Sequence, residues 1–108
     1  MKITRDEANQ FMQKWHDEQT RISVAFEGPD THVAFKFVGS VSELNNDLLQ
    51  ISQGDTQFFM ALAGTDFEYK DAREAPTHAQ EWAEASIEGC LLVCGPAHAW
   101  HCSLFELK

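Results

Sequence analysis

The sequence predicts one α+β domain, with an N-terminal amphipathic helix packed on a strongly bent antiparallel sheet or small barrel of about five or six strands. Apolar residues recur at helical spacing near the N-terminus, and from residue 21 they alternate with polar residues, as in half-buried strands. Glycine-containing turn sequences separate the later apolar runs. The 108 residues, 44% of them hydrophobic, can supply one core, so we expect a single domain over residues 1–108.

The N-terminal helix is expected to span about residues 5–18. Thr4 and Glu7 have the spacing of a capping box, in which each side chain accepts a hydrogen bond from a backbone N–H of the other residue. An apolar stripe at helical spacing follows, formed by Ala8, Phe11, Met12 and Trp15. We interpret this stripe as the face that packs on the sheet, and not as a partner-binding face.

A β-hairpin is expected directly after the helix. Residues 21–27 and 33–41 both alternate apolar and polar side chains, and Gly28-Pro29-Asp30 between them is a turn sequence. Gly39 interrupts the second run, and a glycine inside a strand often marks a bulge or sharp bend. We therefore expect the sheet to curl at this position.

The middle of the chain is less regular. Residues 42–51 are expected to form a strand or, alternatively, a short helix, because their apolar residues fit both spacings. Residues 56–63 predict another strand. Residues 66–79 are charged and contain Pro76, which indicates an exposed excursion, and residues 77–82 could form a short helix.

The C-terminal segment is expected to be a second hairpin, because apolar residues 87–93 and 100–107 flank a turn at Gly95. One register places Cys94 opposite Ala99, and the other two cysteines then lie on opposite sheet faces. Shifting the register by one residue places these two cysteines directly across from each other. Only that second register allows them to form a disulfide or share a metal ion.

Five potential ligands for a soft or borderline metal ion fall in this hairpin: Cys90, Cys94, His98, His101 and Cys102. Zinc knuckles usually hold two cysteines around a tight turn, whereas Cys90 and Cys94 lie on one predicted strand. We therefore favour structural, reduced cysteines and expect no cofactor, with a metal site at these residues or a redox-active thiol as the alternatives.

The two C-terminal histidines could also act as acid/base groups. His98 and His101 lie near Glu106 and Glu88 in the sequence, and histidine titrates near neutral pH. Exposed turn histidines are the simpler interpretation. No nucleophile elbow, phosphate-binding glycine loop or dinucleotide fingerprint is present, so no motif indicates an enzyme.

The net charge of -9 makes nucleic-acid binding unlikely, because an acidic surface repels phosphate backbones. No apolar stretch approaches the roughly 20 residues needed to cross a bilayer, so we expect no membrane partner. The charged first residues do not resemble a signal peptide. We expect a soluble, cytoplasmic protein.

Two short segments resemble the motifs of the Sm-like family, which has an SH3-type small-barrel fold. Residues 37–41, followed by Asn45 and residues 48–51, are similar to the first Sm motif in glycine and hydrophobic spacing. Ile87-Glu88-Gly89 is similar to the second motif. The resemblance implies an Sm-like barrel that assembles into rings or dimers through strand edges.

The family's RNA-contact residues do not carry over to this chain. Asn45 stands where the family usually has an aspartate that supports the RNA site, and Leu49 stands where it has a base-contacting asparagine. Glu88 replaces the basic residue of the second motif. The resemblance therefore implies the fold and the assembly mode without RNA binding.

These observations predict a non-enzymatic binding or assembly module whose partner is another protein or a second copy of the chain. The alternative is a small-ligand or metal-dependent enzyme with a pocket lined by Trp82, Trp100 and the histidine and cysteine cluster. An RNA-binding ring is a third hypothesis, which requires a locally positive face despite the acidic composition.

Overall fold

A computed structural model describes residues 2–28, 33–45, 47–71 and 87–107. Along the chain the elements are β1 (Lys2–Ile3), α1 (Arg5–Glu18), β2 (Arg21–Glu27), β3 (Val33–Leu44), β4 (Leu48–Gln53), β5 (Thr56–Ala61), β6 (Asp66–Asp71), β7 (Ile87–Cys94), a 3₁₀ turn (Pro96–His98) and β8 (His101–Leu107). The helix packs on one antiparallel sheet, which confirms the predicted α+β class.

The helix α1 begins and ends as its sequence predicts. The backbone N–H of Glu7 donates to Thr4 Oγ1 at 3.2 Å, and the N–H of Thr4 donates to Glu7 Oε1 at 3.0 Å. The helix ends at Gln19, which adopts the left-handed conformation with φ 52°. Three residues of the apolar stripe are fully buried: Ala8, Met12 and Trp15. The stripe is therefore the packing face, as expected.

Among the described residues the sheet has eight strands in the order β1-β6-β7-β8-β2-β3-β4-β5, and its two end strands do not pair with each other. The expected five or six strands and the small-barrel alternative are therefore wrong for this structure. The count was low because β1 has only two residues, too few to show alternation, and because β6 occupies the start of the predicted excursion. These two strands pair with each other, with Ile3 opposite Phe67.

The long strand β3 changes partner along its length. It pairs with β2 as far as Ser40 and with β4 from Ser40 onward. At Gly39 a Cβ atom would lie 2.5 Å from the carbonyl oxygen of Ser52, so this glycine permits close approach of the two strands. The register shift in β3 occurs farther along, between Val41 and Glu43.

The helical alternative for residues 42–51 is wrong, because a turn divides this segment between β3 and β4. The N–H of Asp47 donates to the Asn45 side chain at 2.9 Å, and the N–H of Asn45 donates to the Leu48 carbonyl at 3.0 Å. An asparagine that bonds the backbone two residues later favours a turn over a helix.

The sheet has two chemically different faces. The helix face contributes the main core, which includes Ile22, Val24, Leu91, Val93, Cys102 and Leu104. A smaller buried cluster lies on the opposite face, formed by Ala25, Ile87, Cys90 and Phe105. We call this second side the outer face. Because side chains alternate along a strand, neighbouring cysteines of the C-terminal hairpin can lie on different faces.

The predicted short helix at residues 77–82 lies outside the described residues, and so do Pro29 and Asp30 of the predicted turn between β2 and β3. Within the part of the chain that the structure describes, no helix is long and apolar enough to cross a membrane.

Candidate functional site

The C-terminal hairpin has a register that neither sequence alternative anticipated. Cys94, the last residue of β7, lies directly opposite His101, the first residue of β8. Cys102 lies opposite Val93, and Cys90 lies opposite Phe105. The loop between the paired strand ends is two residues longer than the register with Cys94 opposite Ala99 requires. Both predicted registers are therefore wrong.

Three of the five candidate ligands converge at the turn of this hairpin. The ligand atoms of Cys94, His98 and His101 all lie within 4.8 Å of one another. Cys94 is buried, His101 is half-buried and His98 is exposed. The two imidazole rings are 6.2 Å apart between centroids. We call these three residues the Cys-His-His cluster.

The turn itself has an unusual backbone. Ala97 and His98 are consecutive residues in the left-handed region, both with φ 55°. This conformation disfavours most residues that carry a Cβ atom, alanine among them, whereas histidine adopts it more often than most. The turn is closed by the Gly95 N–H, which donates to the Trp100 carbonyl at 2.9 Å. In this turn the His98 ring comes close to the side chains of Cys94 and His101.

Gly95 is required by the packing of Trp100. A Cβ atom at Gly95 would overlap the indole ring. The same ring stacks on Phe26 of β2, with 5.5 Å between centroids, and packs against the main core. Trp100 therefore supports the turn from the helix side.

The other two cysteines are not part of the cluster. Cys90 belongs to the outer-face cluster, whereas Cys102 belongs to the main core, so their side chains lie on opposite faces. Burial raises the pKa of Cys90 to about 12 and raises the pKa of Cys102 further. All three cysteines are free. Cys90 and Cys102 have the burial of structural cysteines.

Acidic side chains lie next to the cluster on the outer face. Asp66 of β6 pairs directly opposite Cys94, and Glu27 of β2 pairs directly opposite His101. Directly paired residues of adjacent strands share a sheet face. Burial raises the pKa of the Cys94 thiol, and the carboxylates of Glu68 and Asp66 raise it further. The four adjacent strands β6, β7, β8 and β2 therefore place Asp66, Cys94, His101 and Glu27 in one row on the outer face, beside the turn.

The proposed acid/base pairs do not form. Glu106 lies on the helix face and accepts a hydrogen bond from the Trp15 indole, whereas His101 points to the outer face. Glu88 is an exposed residue at the start of β7, at the opposite end of that strand from the turn. Trp82, the other residue of the predicted pocket, lies outside the described residues.

A separate cleft lies on the helix side of the molecule. It is lined by three polar residues of α1, by the last residue of β3 and by the residue after it: Asn9, Gln10, Gln13, Leu44 and Asn45. No titratable group is among these residues, and none of them belongs to the Cys-His-His cluster. The cleft therefore offers hydrogen-bonding groups without acid/base chemistry.

A second surface of interest is the edge of the sheet at β5. This strand is the last in the sheet order and pairs with β4 on one side. Phe59 projects to the outer face there and is 55% exposed. Among the described strands, none pairs with the other side of β5.

The sequence indicated the three members of the cluster, among five candidates, but it gave no sign of their acidic neighbours. Asp66 and Glu27 are far from the hairpin in sequence, and no motif links them to it. Only the strand order places β6 and β2 on the two sides of the C-terminal hairpin.

No protein-family model, curated protein or solved structure matches this chain.

Proposed function

We propose that this chain is a non-enzymatic assembly module that associates with a second copy of itself through the edge strand β5. The observation that carries this proposal is an edge strand of six uncharged residues at one end of the described sheet. In this assembly the β5 strands of two copies pair antiparallel about a two-fold axis, so the same surface serves on both sides.

The composition of β5 favours strand pairing. Natural edge strands are usually protected by charged residues, proline, a bulge or very short length. The strand from Thr56 to Ala61 contains no charged residue and no proline, and its pairing with β4 has no register shift. By contrast, β1 at the other end of the sheet has only two residues, one of them Lys2. Of the two end strands of the described sheet, only β5 is therefore both long and uncharged.

Phe59 adds an apolar contribution to the same surface. Its side chain is a large hydrophobic group that remains more than half exposed. The chain carries a net charge of -9, which opposes close approach of two copies. An uncharged strand with an exposed aromatic residue is a surface where this repulsion is locally weakest. Burying the two Phe59 side chains would also contribute to the free energy of association.

The Sm-like resemblance is consistent with this proposal and remains a prediction, as does a cytoplasmic location with reduced thiols. In that family assembly proceeds through strand edges. The acidic composition and the residues Asn45, Leu49 and Glu88 argue against RNA as the partner.

Sedimentation equilibrium over a wide concentration range tests the proposal. We expect a mass of twice 12.2 kDa at high concentration. Phe59→Lys should raise the dissociation constant by more than ~10-fold, because it places a charge on the edge and removes the apolar contact. Gln10→Lys on the exposed surface of α1 adds the same charge elsewhere and should leave the constant unchanged.

Two results would overturn the proposal. The first is a strictly monomeric wild-type protein at the highest concentrations. The second is equal association of the wild-type protein and the Phe59→Lys variant, which would place the contact elsewhere on the molecule.

A further inference from the structure

The Cys-His-His cluster has the composition and spacing of a metal centre. One sulfur atom and one ring nitrogen from each of two histidines lie within 4.8 Å of one another. Ligands of a tetrahedral ion with bonds of about 2.0–2.3 Å are separated by less than about 4 Å. Small side-chain rotations therefore suffice to bring all three atoms to one ion.

The backbone positions these ligands from three separate places. Cys94 ends β7 and His101 begins β8, and their direct pairing fixes two ligands on adjacent rigid strands. His98 comes from the turn between them, where Ala97 and His98 both adopt the left-handed conformation. Strained backbone at non-glycine positions tends to occur where a function requires the geometry.

We propose that Cys94, His98 and His101 bind one Zn²⁺ ion at the turn of the C-terminal hairpin. Thiolate and imidazole are typical zinc ligands, whereas Ca²⁺ and Mg²⁺ require oxygen ligands. Three protein ligands leave one position of a tetrahedral ion for solvent, since the turn is exposed at His98. This site is independent of the β5 edge.

The electrostatic surroundings favour a cation. Asp66 and Glu27 flank the site in direct register with Cys94 and His101, and the whole chain is acidic. Negative charge on both sides attracts a divalent cation and repels an anionic ligand. The same turn would therefore be a poor site for phosphate or nucleic acid.

Zinc affinity and stoichiometry test the site. Tag-free protein is stripped with a chelator and titrated with Zn²⁺ in competition with a chromophoric chelator, and bound metal is measured by elemental analysis after dialysis. We expect about one Zn²⁺ per chain. Cys94→Ser and His98→Asn should each weaken binding by more than ~100-fold, since loss of a direct ligand exceeds the effect of losing an outer-shell partner.

Matched controls separate the cluster from other thiols and imidazoles. Cys90→Ala removes a cysteine of the same hairpin, and His16→Ala removes a histidine of α1; both should bind zinc like the wild-type protein. His98→Asn is informative even if Cys94→Ser fails to fold, because residue 98 is exposed and asparagine tolerates its left-handed backbone.

Substoichiometric zinc in the wild-type protein would overturn the proposal. Unchanged affinity in His98→Asn, or equal loss in Cys90→Ala, would also overturn it, because zinc would then be bound by other residues.

Discussion

The indole Nε1 of Trp15 donates a 2.8 Å hydrogen bond to Oε1 of Glu106, and the two residues are 91 positions apart in the sequence. Both side chains are buried, with Trp15 on the packing face of α1 and Glu106 on β8. This contact fixes the N-terminal helix to the last strand. It also provides a hydrogen-bond partner for a buried carboxylate and for a buried indole N–H. Burying either group without a partner would lower the stability of the fold.

Glu106→Ala should lower the free energy of unfolding by about 1.5–3 kcal/mol, because it leaves the indole N–H buried without an acceptor. Glu106→Gln keeps a carbonyl acceptor at this position and should cost less. Urea unfolding followed by circular dichroism measures both changes. Glu88→Ala, at an exposed position of β7, is the control and should have little effect. Equal stability of the Glu106 and Glu88 alanine variants would contradict the assigned role.

Ala97→Gly should stabilise the metal-free protein by about 0.5–1 kcal/mol. Glycine adopts the left-handed conformation without the Cβ penalty, although it loses more backbone entropy on folding. Ala99 is the matched control, because it lies in the same turn with φ -67° and ψ -22°. Ala99→Gly should therefore be destabilising. Thermal unfolding measures the stability of both variants. A lower melting temperature for Ala97→Gly would contradict the inference that the backbone at Ala97 is strained.

The stability of the fold should fall at alkaline pH through Cys90. The folded-state pKa of this thiol is raised to about 12 from an ordinary value of 9.0, chiefly by burial. Unfolding then releases a proton between these two values, so the stability is fully present below pH 9 and is lost as the pH rises toward 12. The slope from this thiol approaches about 1.4 kcal/mol per pH unit within that window.

Cys90→Ala removes the contribution of this thiol to the alkaline loss of stability. The contribution of Cys102 remains, because burial also raises the pKa of that thiol. Urea unfolding at a series of pH values should therefore give a shallower alkaline slope for the variant, after both proteins are normalised at pH 7. Identical slopes would show that Cys90 does not carry the pH dependence.

Local patterns predicted much of the fold. The capping box at Thr4 and Glu7 and the apolar stripe through Trp15 depend on neighbouring residues, so the sequence contains the whole signal. The alternation in β2 and β8 has the same origin. The predictions were wrong where the fold depends on long-range pairing. The strands β1 and β6 pair across more than 60 positions of sequence, and no local pattern distinguishes either of them from a loop.

The candidate zinc site was predictable in its residues but not in its geometry. The density of cysteine and histidine in the last strands indicated five candidate ligands, of which the structure brings three together. The register depends on the length of the turn, and the turn contains left-handed residues at Ala97 and His98. Alanine is a residue type that this conformation disfavours, so the sequence does not indicate it. The packing of Trp100 over Gly95, a contact that closes the turn, is likewise set by tertiary structure.

X-ray absorption spectroscopy at the zinc edge is the most direct test of the central claim, that Cys94, His98 and His101 share one ion. The structure predicts a single sulfur ligand at about 2.3 Å and two imidazole nitrogens at about 2.0 Å, with the sulfur contribution lost in Cys94→Ser. A first shell without sulfur would contradict the claim, and so would a shell with two sulfurs, which would require Cys90 or Cys102 to leave its buried position.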